Sequence, residues 1–167
     1  MDRRRLLLAA VVLAPVAARL PAQTVSAAPP EVRALWPGVQ LQGSARMRFL
    51  GFHVYDARLW VPAAPPRDAA ERERYAAAPF ALELEYARAL EGRRIAERSI
   101  EEMARAGPLP PAQAEPWLAF MQRSFPDVVA GSRLTGVYGP DEGVRFFHDG
   151  RPCGESRDGV FARQLVQ

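Results

Sequence analysis

Several side chains in this sequence have the chemistry to hold or transform a ligand. Arg98 and Glu102 stand one helical turn apart, a cation and a carboxylate at i,i+4 spacing. They either meet a polar head group at the edge of a cleft or form an ordinary surface pair. Arg46 and Arg48 alternate with Met47 and Phe49, which puts two guanidinium groups on one face of a strand. Covered by helices, that face would hold a carboxylate bidentately; uncovered, it is a solvated strand face. Tyr55 and Tyr86 bring phenols to strand-patterned segments, either to line a cleft or to pack in the core. Asp127 and Asp149 sit where turn residues are expected.

Other chemistries are closed. All 22 basic residues are arginine, so Schiff-base and P-loop lysines are excluded. His53, His148 and the single Cys153 form no metal-ligand spacing, and one cysteine permits no internal disulfide. No metal and no cofactor is expected. The net charge of +3 hints at an acidic partner. Arg3, Arg4, Arg5, Arg19 and Asp2 all belong to a leader, and without them acids and bases are equal in number. Nucleic acid is therefore not expected as a partner.

The leader has three parts. Met1 to Arg5 is positive, Leu6 to Ala18 is uncharged, and Val25-Ser26-Ala27 offers small residues for cleavage after Ala27, with Leu20-Pro21-Ala22 as a second option. The uncharged run is shorter than the 20 or so apolar residues of a spanning helix, so no stable membrane anchor is expected after cleavage. The mature chain is expected in the periplasm or outside the cell.

Periodicity supplies the elements that must position these residues. Ala28 to about Gly38 is Pro-rich and expected to be extended. Val39 to Gln42 and Arg46 to Val61 read as strands, with Gly51 marking a bulge or bend. Asp68 to Tyr75 reads as a charged helix capped by Asp68. Phe80 to Tyr86 alternates, with Phe80, Leu82, Leu84 and Tyr86 on a buried face and Glu83 and Glu85 on a wet one. Gly92 to Ala106 is an amphipathic helix carrying Ile95, Ala96, Ser99, Ile100 and Met103 on one arc. A second helix spans about Pro116 to Phe125. Arg133 to Tyr138 and Val144 to His148 form a hairpin, and Asp158 is placed to cap a last helix with Phe161 and Leu165. The order describes an α+β fold: an antiparallel sheet with helices on one face.

The segments Gly51–Trp60, Pro79–Arg88, Ile95–Met103, Phe125–Val128 and Gly131–Tyr138, in that order and spacing, resemble the chalcone isomerase-like family. The resemblance spans roughly Val39 to Ala162. It implies an open-faced β-sandwich, a large antiparallel sheet with a layer of helices and a cleft between them. The family includes plant enzymes that cyclise chalcones, fatty-acid-binding members, and exported bacterial members. The cyclisation needs cations for a phenolate and hydroxyls that polarise a ketone through water. The positions that carry those groups in the plant enzymes fall near Pro37 and on Leu50, Ile95, Arg98 and Glu102 here. Only the positive charge of Arg98 survives. The resemblance therefore implies no catalytic residue of that type. It implies binding of a small apolar or amphipathic ligand such as a fatty acid, with Arg98, Glu102, Arg46, Arg48, Tyr55 and Tyr86 as candidate ligand-binding residues. The alternative is an isomerase or intramolecular lyase acting on another substrate, and a third reading is an interaction domain whose cleft is filled by its own side chains.

Overall fold

The computed structural model describes residues 27–63 and 78–165. The leader up to residue 26 and the helix expected at Asp68 lie outside the described residues.

Six strands form one antiparallel meander in which each strand pairs with the next. They are β1 (Gln40–Phe49), β2 (Phe52–Val61), β3 (Phe80–Tyr86), β4 (Arg133–Gly139), β5 (Gly143–His148) and β6 (Arg151–Ser156). Gly51 marks a reversal: Leu50 and Gly51, both at positive φ, form a two-residue turn between β1 and β2. The β6 strand was not apparent from periodicity, because Pro152 and Gly154 break any apolar alternation.

Among the described residues three helices cover one sheet face: α2 (Gly92–Ala106), α3 (Ala114–Ser124) and α4 (Gly159–Leu165). Their apolar arcs, Ile95 and Met103, Trp117 and Met121, then Phe161, meet Tyr86, Leu134, Tyr138, Val144 and Phe146 of the sheet. Phe146 stands edge-on to Phe125, and Phe120 edge-on to Phe161, at centroid distances of 4.9 and 5.5 Å. Backbone approach fixes the helices against their neighbours. A Cβ on Gly92 would collide with the Phe125 carbonyl oxygen, so only glycine admits that contact. Asp127 Oδ1 accepts the Gly92 backbone N–H at 2.8 Å, a terminal role consistent with its expected place in a turn. Asp158 Oδ1 accepts the backbone N–H groups of Val160 and Phe161, capping α4.

The opposite face carries two corrections. The Pro-rich lead-in is not wholly extended: Pro30–Leu35 form a short helix, α1. Pro30 suits the first turn, where its missing N–H has no partner to lose, and Glu31 and Arg33 fit the two ends of the helix dipole. Val32 and Ala28 then pack on Trp60, Ala81, Val137 and Phe147. Glu83, expected on a wet face, is 2% exposed. Its carboxylate accepts the Trp60 indole N–H at 2.8 Å and one Arg58 N–H at 3.2 Å. Arg58 also reaches Glu85 at 2.8 Å. Beside them, the Thr135 hydroxyl donates to Glu31 Oε1 of α1 at 2.9 Å. The alternation was correct, but α1 and this polar network supply a second cover that sequence periodicity cannot show.

Candidate functional site

Cross-strand register places Tyr55 opposite Tyr86, Ala57 opposite Leu84 and Leu59 opposite Leu82. Paired residues share a face, and Tyr55, Leu84 and Tyr86 belong to the cluster beneath the helices. Leu82 therefore faces the helix layer too, yet it is 38% exposed between the fully buried Ala81 and Glu83. Among the described residues the cover thins over β2 and β3. The tightly packed rings of Phe120, Phe125, Phe146 and Phe161 lie toward β5, while Ala57, Leu59 and Leu84 remain half-buried beside Leu82. Among the described residues this leaves a strip of incompletely covered apolar surface, a shallow trough, on β2 and β3 beside the Tyr55–Tyr86 pair.

The two tyrosine rings meet edge-to-face, 5.8 Å between centroids and 70° between planes. Burial holds the Tyr55 phenol above its usual range, with a further push from the Glu102 carboxylate and an opposing one from Arg98. Tyr86 is also raised, by burial and then by Tyr55. The structure thus gathers four of the expected site residues, Tyr55, Tyr86, Arg98 and Glu102. On α2, Arg98 pairs with Glu102 and donates to Glu101 at 3.2 Å, and Glu102 also accepts from Arg105 at 2.7 Å. These side chains stay about half exposed. An Arg–Glu pair at the rim of an apolar trough can meet a carboxylate or hydroxyl head group while the tail lies on leucine.

Arg46 and Arg48 are not in this group. Arg46 sits opposite Asp56, whose next cross-strand neighbour is Glu85, on the face turned away from α2 and α3. There its guanidinium makes a two-pronged contact with Asp56, at 2.7 and 3.1 Å. His53 reaches the same carboxylate at 3.1 Å. The expected place of Arg46 in the cleft is corrected, because the helices cover the other face. An open depression of about 300 Å³ on this outer side is lined by Ser44, Ala45, Arg46, Asp56, Ala57 and Arg58. Arg48 is exposed beyond a register shift, opposite His53 near the β1–β2 turn. The trough residues Leu59, Leu82 and Leu84 were read only as strand and core. Their alternation carried no sign that one of them lacks cover.

Cys153 is half-buried, and burial pushes its thiol up to about 11, so it is no ready nucleophile. Among the described residues no group of His, Cys, Asp and Glu is arranged to hold a metal ion. No helix among them is long and apolar enough to cross a membrane.

The six-stranded antiparallel sheet with helices on one face is the open-faced sandwich of the chalcone isomerase-like fold. A solved structure that shares it is the crystal structure of a fatty-acid binding protein from Arabidopsis thaliana. The match has a TM-score of 0.59 at 11% sequence identity and covers 78% of each chain. At that identity the likeness is one of fold. No family model matches the chain, and no curated protein matches it in sequence.

Proposed function

We propose that this chain is an exported, bacterial member of the chalcone isomerase-like family that binds a small apolar or amphipathic ligand, such as a fatty acid, without transforming it. The observation that carries this reading is the exposure of Leu82 among the half-buried Ala57, Leu59 and Leu84 on the sheet face that carries the helices. An acyl chain laid along Leu59, Leu82 and Leu84 would remove that surface from water, at roughly 25 cal/mol per Å² of apolar area. Arg98 would meet a carboxylate head group, and the Tyr55–Tyr86 pair would close the end of the trough. The fold shared with a fatty-acid binding protein supports the same choice of ligand. The absence of the plant-type hydroxyls at Leu50 and Ile95 argues for holding over cyclisation. Export follows from the three-part leader, with delivery to the periplasm or the exterior.

Native mass spectrometry of the protein purified from the exported fraction tests this reading. The expected result is a discrete added mass, lost on denaturation, that matches a fatty acid. A clean unliganded mass, together with no uptake of added oleate, would contradict it. N-terminal sequencing of the same sample reads the cleavage position.

A further inference from the structure

The tip of the β1–β2 hairpin breaks two local rules at once. Phe49 and Phe52 face each other as its last pair and are 63% and 65% exposed. Leu50, 81% exposed, occupies a turn position at φ +48°, where asparagine, aspartate or glycine is the usual choice. An apolar side chain that is both solvent-exposed and conformationally disfavoured satisfies neither the fold nor solubility. Met47 adds further exposed apolar surface next to it. The tip also projects. Pairing of β3 with β2 begins at Tyr55, so Phe52 and the residues opposite it extend past the neighbouring strand.

Two cations flank these side chains. The Arg88 guanidinium lies over the Phe52 ring, 5.7 Å from its centroid. Arg48 stands one residue before Phe49. Among the described residues neither has a carboxylate within ion-pair distance, unlike Arg46 and Arg58. A projecting apolar hairpin tip flanked by two arginines that have no carboxylate partner among the described residues presents apolar surface and positive charge together. It fits an interface whose interior is apolar and whose surface is anionic.

We propose that this hairpin docks the protein on an anionic lipid bilayer. Phe49, Leu50 and Phe52 enter the boundary between head groups and acyl chains, while Arg48 and Arg88 remain among the lipid phosphates. This docking is peripheral and stands apart from what the trough holds.

The test places an environment-sensitive nitrobenzoxadiazole label at position 50 of the full chain, as Leu50→Cys in a Cys153→Ala background. A second labelled form, Glu155→Cys, reports from β6 at the far edge of the sheet. Because the readout is local to each label, other membrane-seeking parts of the chain do not generate it. With vesicles of phosphatidylcholine and phosphatidylglycerol, the label at 50 is expected to shift to the blue and to be quenched by nitroxides on the lipid chains. The label at 155 is expected to do neither. Arg48→Ser and Arg88→Ser are expected to weaken the partitioning by about fivefold each. Phe49→Ser with Phe52→Ser is expected to weaken it by about tenfold or more. These are exposed positions, so the fold is retained. No change at position 50, or equal partitioning into pure phosphatidylcholine, would overturn the proposal. So would a blue shift without lipid that grows with protein concentration, which would assign the tip to a contact between two copies of the chain.

Discussion

The Trp60 indole N–H donates to Glu83 Oε2 at 2.8 Å, beneath the face that α1 covers. Glu83 also accepts from Arg58, so a strand position read as solvated holds a charged network inside the protein. Taking away one partner leaves the others buried and uncompensated. Glu83→Ala is expected to lower unfolding stability by about 3–5 kcal/mol, the cost of breaking a buried ion pair by removing one partner. Trp60→Phe, which keeps the ring and loses one donor, is expected to cost about 1–3 kcal/mol. Denaturant titration reads both. A Glu83→Ala loss below that of Trp60→Phe would mean that water replaces the carboxylate.

Glycine positions offer a paired comparison. A methyl group at Gly92 meets backbone atoms of Phe125 and Pro126, which cannot swing aside as a side chain does. A methyl group at Gly43 meets nothing within 4 Å. Gly92→Ala is expected to destabilise by about 3 kcal/mol or more, and Gly43→Ala to stay within about 0.5 kcal/mol of the parent. Thermal unfolding separates them; equal melting temperatures would show that α2 is not held where the structure has it.

Asp158 gives the acid limb a signature. Burial pushes its carboxyl up, but the Phe161 N–H, the Trp117 indole, the Val160 N–H and Arg163 together hold it below the usual range. A folded-state value below the unfolded one adds stability that is complete above about pH 4 and is lost as pH falls through the folded value. Asp158→Asn keeps a capping oxygen and removes the charge. Its stability, followed by denaturant midpoint against pH, is expected to fall less steeply than the parent's below about pH 4. An unchanged slope would remove Asp158 as a source of acid sensitivity.

The edge of the trough can be read from Tyr55. With burial and Glu102 raising its phenol and Arg98 opposing them, Glu102→Gln is expected to move its titration down and Arg98→Gln to move it up. Phenolate absorbance against pH, taken as a difference from Tyr55→Phe, measures both. Movement in neither variant would separate α2 from the tyrosine pair and dissolve the proposed head-group position.

Sequence patterning reached much of this arrangement. Strand Phe80–Tyr86 and helix Gly92–Ala106 stand at the limits their periodicity indicates, because each has one long apolar face and clear terminators. Asp158 caps α4 as its position before Phe161 implies. What escaped is tertiary. Proline hid α1, although proline suits a first helical turn. Glu83 alternates like a surface residue, and only α1 and the Trp60–Arg58 partners reveal it as interior. Arg46 shares its strand with apolar residues in either case, and which face the helices chose is a property of the assembled chain. Leu82 looks identical in sequence to Leu84, yet Leu82 is exposed and Leu84 half-buried, a difference that only the assembled chain shows.

The claim that the trough holds an acyl ligand rests on Leu82 most directly. The decisive measurement is a titration of a fluorescent fatty-acid analogue into the parent protein and into Leu82→Arg, with Phe52→Ser as a surface control. Leu82 is partly exposed, so the charged replacement is compatible with folding, which circular dichroism verifies. Saturable binding to the parent, an affinity about tenfold or more weaker in Leu82→Arg, and no change in Phe52→Ser are the expected results. Binding that is indifferent to Leu82→Arg, or absent from the parent, would contradict the account.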